Sequence, residues 1–252
     1  MFSHRRHHLK VRPFARRVVP SPVGEPWTPA QWTGNFSWYP LYKQASAASL
    51  DDVGGFNYDM TDAFGGAGAV DPSGNGIIFD GGQVYHGSSM GDITPESLMI
   101  WVLASVDWQD TSGTPIYFLG IGYPNWPTVG LGLETAAVGS LLAGDIHIFL
   151  NEPTGATNHI VSPSLTTGQW VSIIAVINPT TSKILIDGVE AAPRIAPVLP
   201  GSSWASGPWA THLSSMVWNV GTIKDMGFSM ASAHQTDEEI AKLATYLESL
   251  KP

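Results

Sequence analysis

From Asp71 onward the chain breaks into short apolar runs, each closed by turn-forming residues, and this spacing constrains the fold more than any other feature of the sequence. Asp71-Pro-Ser-Gly-Asn-Gly76 reads as a turn into a strand at 77–80, and Gly81-Gly82 opens a run through Val84 and Tyr85. Residues 97–106 are almost continuously apolar, as expected of a strand buried on both faces, and their Ile, Trp and Val content favours strand over helix. Further strands are expected at 116–121, 129–134 and 145–150. The strongest pairing signal is 169–177, then Asn178-Pro-Thr-Thr-Ser182, then 183–186 running into Asp187-Gly188: two strands around a Pro-containing loop, followed by a tight turn. A Pro-, Ser- and Trp-rich loop over 191–210 precedes one or two more strands before Ser232. In a chain of 252 residues, 13% charged with 27 Gly, 19 Pro and 10 Trp, this is a turn-rich β protein with a sizeable core, and a helical bundle or coiled coil is excluded.

The period changes at the end. Thr236-Asp-Glu-Glu239 has the form of a capping box: Thr236 can accept from the Glu239 amide while the Glu239 carboxylate reaches back to the Thr236 amide. Ile240, Leu243, Leu247 and Leu250 then share one helical face, which predicts an amphipathic helix over 237–250. There is no Cys, so disulfides, thiolate metal sites and cysteine nucleophiles are excluded. No apolar run approaches the ~18 residues of a membrane-spanning helix, and no apolar signal core comes after the basic start, so a soluble chain not secreted by the ordinary route is expected.

The net charge of −9 conceals two opposed parts. Arg5, Arg6, Lys10, Arg12, Arg16 and Arg17 are six of the twelve cations, joined by His4, His7 and His8, with no acid before Glu25. The rest of the chain sets six cations against 21 acids, a net of −15. Residues 1–22 therefore read as a basic extended arm that does not fold alone, since it cannot bury enough apolar surface to offset its chain entropy. Residues 23–70, with Trp27, Trp32, Trp38, Tyr39 and Tyr42, read as an irregular aromatic lead-in packed on the body, and 71–252 as the body itself. A short arm on an acidic body is a weak case for nucleic acid.

Three segments together resemble the concanavalin A-like, laminin-G-like jelly-roll superfamily. Asn75-Gly-Ile-Ile-Phe-Asp-Gly-Gly-Gln-Val-Tyr85 is similar to its early "FDG" strand pair. Residues 168–177 with Ile184-Leu-Ile-Asp-Gly188 are similar to its "W-h-v-a … l-y-v-D-G" hairpin, and Met226-Gly-Phe-Ser-Met230 plus the final helix resembles the closing strand and helix of microbial and phage members. The resemblance implies an all-β, two-sheet antiparallel jelly-roll sandwich with an N-terminal arm and a short C-terminal helix. It does not settle function, because members include lectins, glycan hydrolases and structural virion proteins.

Glycoside hydrolysis needs two carboxylates about 5 to 9.5 Å apart, and the E-x-D-x-x-E or E-x-D-x-E run of the fold's hydrolase branch is absent; Asp237, Glu238 and Glu239 read as a helix cap instead. Gly87-Ser-Ser-Met-Gly91 matches G-x-S-x-G with Ser89 as nucleophile, but Asp92-Ile-Thr-Pro95 leads on to another strand, so a loop between strands is the better reading. Many relatives hold Ca²⁺, for which Asp80, Asp107, Asp145, Asp187 and Asp225 are candidates, although no D-x-D-x-D-G spacing pins them; no cofactor or metal site is assigned. Tyr123, Trp126, Trp204 and Trp209, in expected loops, could stack on sugar rings, against the plainer reading that they anchor loops or fill core.

The reading adopted is a non-enzymatic structural protein of a phage-like virion, a decoration or minor head or tail component, oligomeric within its assembly. Arg5, Arg6, Lys10, Arg12, Arg16 and Arg17 would pair with acidic patches or carbonyls of coat or connector subunits, and Phe2, Leu9, Val11 and Phe14 would fill apolar pockets. The alternative is a carbohydrate-binding, lectin-like module for host attachment, using Tyr123, Trp126, Trp204 and Trp209.

Overall fold

The computed structural model describes residues 26–64, 66–79, 83–93, 97–106, 116–123, 126–134, 137, 142–150, 157–178, 181–194, 209–217 and 221–252. Along these residues run strands β1 (Phe36–Tyr39), β2 (Ser49–Leu50), β3 (Met60–Phe64), β4 (Ala69–Val70), β5 (Ile77–Phe79), β6 (Gln83–Ile93), β7 (Leu98–Val106) and β8 (Ile116–Tyr123). They continue as β9 (Trp126–Leu133), β10 (Ile146–Leu150), β11 (Thr157–Val161), β12 (Trp170–Ile177), β13 (Ser182–Ile186), β14 (Val189–Glu190), β15 (Trp209–Val217) and β16 (Gly221–Ser229), and end in helix α1 (Asp237–Leu250). The first sheet orders β14-β13-β12-β7-β16-β5-β4, with β1 also on β16; the second orders β11-β10-β9-β8-β15-β6-β3-β2. The protein is an all-β antiparallel sandwich closed by one helix. No helix among the described residues is long and apolar enough to cross a membrane.

The pleat divides the apolar residues between two cores. In β7, Leu98, Ile100, Val102 and Ala104 face the core between the sheets, where they meet Ile173 and Ala175 of β12, Met226 and Phe228 of β16, and Leu131, Leu133, Ile146 and Ile148 of the second sheet. Met99, Trp101 and Leu103 alternate with them into a second core beneath α1, with Trp32, Phe36, Trp38, Ile240, Leu243 and Leu247. This is why 98–106 reads as continuously apolar: both faces of β7 are covered. Each such side chain contributes about 1.5–3 kcal/mol on burial.

Local chemistry sets the turns. Asn178 N–H donates to Thr181 O and Thr181 N–H to Asn178 Oδ1, closing the β12–β13 connection. Asp187 and Gly188 take φ of 51° and 76°, the paired left-handed residues of a two-residue hairpin turn between β13 and β14. At the start of α1, Thr236 Oγ1 accepts from the Glu239 amide at 3.3 Å, the first half of the expected capping box. The second half does not form. The Glu239 carboxylate accepts instead from Trp32 Nε1 (2.6 Å) and Lys242 Nζ (2.7 Å), so it ties the helix to the segment before β1.

Three other expectations are corrected. Residues 87–91 are not a loop: they lie inside β6, where Ser89 pairs with His212 of β15, and no strand-to-helix elbow exists there. The "FDG" segment is not a pair of neighbouring strands, because β5 belongs to the first sheet and β6 to the second; Asp80-Gly-Gly82 lies outside the described residues. The lead-in segment is not irregular: β1 and β4 join the first sheet, and β2 and β3 the second. Its signal is hidden because all four residues of β1 are buried, so no period-two alternation shows.

Candidate binding site

Pairing in the second sheet brings three of the four candidate glycan residues to one end of it. Tyr123 ends β8 and stands opposite Trp126, which begins β9. Trp209 begins β15, whose His212 is opposite Gly122 of β8 and whose Trp209 is opposite Ile93 of β6. Counting from the His212–Gly122 pair at about 3.3 Å per residue, Tyr123, Trp126 and Trp209 fall within about 10 Å along the strands, on three adjacent strands. Register shifts between Ala210 and His212 and between Ile121 and Gly122 sit at this same end, a placement typical of bulges that re-aim side chains beside sites. Trp204 lies outside the described residues, as do Phe2, Arg5, Arg6, Leu9, Lys10, Arg12, Phe14, Arg16 and Arg17 of the arm.

The structure also assembles a polar cluster that no sequence pattern marks. Glu134, next after β9, and Asp145, just before β10, bond each other's backbone (Glu134 N–H to Asp145 O, 2.9 Å), so their side chains share one face with His147. All three are nearly buried, at 4%, 1% and 3% exposure, and Glu134 Oε1 lies 3.4 Å from His147 Nδ1. Asp145 accepts from Arg194, from Ser162 Oγ and from the Leu142 amide (2.7 Å). Burial, then the Asp145 charge, pushes the Glu134 carboxyl up to about 7; burial brings His147 down to about 4, against the pull of Asp145.

These two shifts have opposite consequences for stability. A carboxyl raised in the folded state contributes stability that is present below its ordinary pKa and lost as pH rises through 7. An imidazole lowered in the folded state contributes stability present above 6.5 and lost as pH falls through 4. The pair therefore nearly cancels between pH 4.5 and 6.5. Glu134→Gln removes the carboxyl's share, so that between pH 6.5 and 4 the unfolding free energy of the variant is expected to fall by roughly 2–3 kcal/mol relative to that of the parent; parallel curves would refute the assignment.

The other acids are committed to structure. Asp225 is fully buried in the second core and accepts from Trp38 Nε1 (2.8 Å), Trp101 Nε1 (3.0 Å) and Tyr246 OH (2.8 Å). Asp187 accepts from the Ser172 amide (2.9 Å) and Lys251 (2.8 Å). The three described calcium candidates, Asp145, Asp187 and Asp225, are thus satisfied in separate places by protein donors, and no group of three or more His, Asp or Glu side chains among the described residues is arranged to hold a metal. Asp80 and Asp107 lie outside them.

No family model and no curated protein matches the chain by sequence. Solved structures with the same fold include a sialidase of Trypanosoma rangeli (13% identity, TM-score 0.57, covering 85% of this chain and 33% of that one). They also include the botulinum neurotoxin serotype D binding domain (13% identity, TM-score 0.58, covering 83% and 51%) and the receptor binding domain of botulinum neurotoxin mosaic serotype C/D (14% identity, TM-score 0.57, covering 84% and 50%). The chain spans about a third of the sialidase and half of the toxin domains. At these identities the likeness is one of fold: a β-sandwich.

Proposed function

We propose that the chain is a non-enzymatic carbohydrate-binding module of the concanavalin A-like kind, with its site at the end of the second sheet bearing Tyr123, Trp126 and Trp209. The observation that carries the reading is the convergence of these aromatics on β8, β9 and β15 beside two bulges. Aromatic faces at loop-bearing strand ends suit stacking on sugar rings. The sandwich shared with toxin binding domains agrees with such a role. A hydrolase is disfavoured because Glu134 and Asp145, a pair of acids that shares a face, are closed off from solvent. The test is a glycan array probed with the full chain and with a Trp126→Ala, Trp209→Ala double variant. Saturable binding to a defined glycan class is expected, weakened at least tenfold in the variant, each lost stacking contact being worth on the order of 1 kcal/mol.

A second reading rests on the charge asymmetry, with six of twelve cations in the first 17 residues of an otherwise acidic chain. In it the arm docks the module on a larger assembly such as a phage-like virion, and removal of residues 1–22 would abolish salt-dependent co-sedimentation with particles while leaving glycan binding intact. Unchanged sedimentation would refute it.

A further inference from the structure

Among the described residues α1 and the aromatic lead-in cover the outer face of the first sheet, and a Ser172 Oγ–Glu248 hydrogen bond (2.7 Å) places the helix C-terminus over β12. Just past it a register row crosses the sheet from Trp170 of β12 to Ser105 of β7 and Thr222 of β16, all three partly exposed. Beside the row stands Lys224, only 9% exposed. Its Nζ donates to Asn75 Oδ1 at 3.1 Å and lies 5.7 Å from the centroid of the Trp170 ring. The Asp71 charge supports the ammonium, but burial works against it and lowers its pKa.

An ammonium carries three protons. One goes to Asn75, and among the described residues no second acceptor takes another, whereas Lys242 and Lys251 each bridge two carboxylates. An ammonium with donors left over can pair with an anion, and charge-assisted hydrogen bonds of this kind are among the stronger ones. An indole and an amide oxygen stand against it, and the neighbouring register row carries two hydroxyls, one of which, Ser105 Oγ, donates to Gly168 O (2.8 Å) and keeps its lone pairs for a donor.

We propose that this ledge is a second saccharide site, selective for a sugar that bears a carboxylate: the carboxylate on Lys224 Nζ, the ring against Trp170, and the hydroxyls on Ser105, Thr222 and Asn75. The proposal rests on the carbohydrate-binding reading and adds to it a place and a charge preference. It differs from the aromatic end of the second sheet in being polar and cationic.

The probes are sodium glucuronate and neutral methyl glucopyranoside, titrated into the full chain while the Trp170 indole N–H resonance, assigned by Trp170→Phe, is followed. Glucuronate is expected to shift it saturably, the glucoside at least tenfold more weakly. Lys224→Gln is expected to weaken glucuronate at least tenfold and Lys224→Arg to retain it; should Lys224→Gln not fold, Asn75→Ala takes its place with a smaller loss. The Trp126→Ala, Trp209→Ala variant should leave this titration unchanged. No saturable shift, equal response to both sugars, or an undiminished response in Lys224→Gln overturns the ledge. Array binding that depends on Trp126 and Trp209 alongside a silent ledge would retain the function and discard this site, and a responsive ledge with a silent array would keep this site and discard the aromatic one.

Discussion

Asp225→Ala is expected to destabilise the protein by about 3–5 kcal/mol, since it leaves two indole N–H groups and the Tyr246 hydroxyl buried without their acceptor. The three donors come from β1, β7 and α1, so one carboxylate joins the aromatic lead-in, the centre of the first sheet and the C-terminal helix. Burial pushes its carboxyl up to about 7, against the hydrogen bonds from Trp38, Tyr246 and Trp101 and the charge of Lys43, which favour ionisation. The folded state therefore holds this proton more tightly than the unfolded chain. The stability it supplies is complete below the ordinary carboxylate pKa of about 4 and is lost as pH rises through 7, a change on the order of 4 kcal/mol. Asp225→Asn should flatten this slope; what remains belongs to Glu134 and, with opposite sign, to His147. Urea midpoints at pH 4, 5.5, 7 and 8 measure it, and a parent whose stability rises across that range with no change of slope in Asp225→Asn would contradict the assignment.

The second large effect is steric. Gly227 of β16 lies against the Trp101 ring and the Ser37 carbonyl, so closely that a Cβ would overlap both. Neither can retreat: the indole is held by Asp225 at 3.0 Å and stands edge-on to Trp32 at 5.7 Å, and Ser37 belongs to β1, paired with this same stretch of β16. Gly227→Ala is expected to cost about 3 kcal/mol or more and to disturb the near-ultraviolet signal of the buried tryptophans. Gly74→Ala is the control: φ there is +73° with nothing within 4 Å, so the cost is backbone strain alone, about 1 kcal/mol. Equal midpoints for the two variants would show that the contact at Gly227 is not tight.

How much could be read in advance depended on whether a signal was local. The β12–β13 hairpin, the doubly buried β7 and α1 carry their instructions within a few residues, as β-branched runs, Asn-Pro and Asp-Gly turns and an N-cap threonine. Strand β1 carries none, because Trp38 and Tyr39 face different cores and both are buried. Glu134, Asp145 and His147 look unrelated along the chain and become one cluster only when β9 pairs with β10. Ser89 sits in a suggestive pentapeptide that lies inside a long strand rather than at an elbow. Of the candidate site, the residue types at Tyr123, Trp126 and Trp209 were legible; their convergence required the β8–β15 register. Lys224 and Trp170, 54 positions apart, gave no sign of each other.

The central claim is that the β8–β9–β15 end of the second sheet receives a glycan. Hydrogen exchange of the full chain, with and without the strongest glycan from an array, tests it most directly. The account predicts slowed exchange at the ends of β8, β9 and β15 around residues 121–129 and 209–213, which vanishes in the Trp126→Ala, Trp209→Ala variant. A bound glycan that leaves these stretches unprotected, or the absence of any glycan that binds, would contradict it.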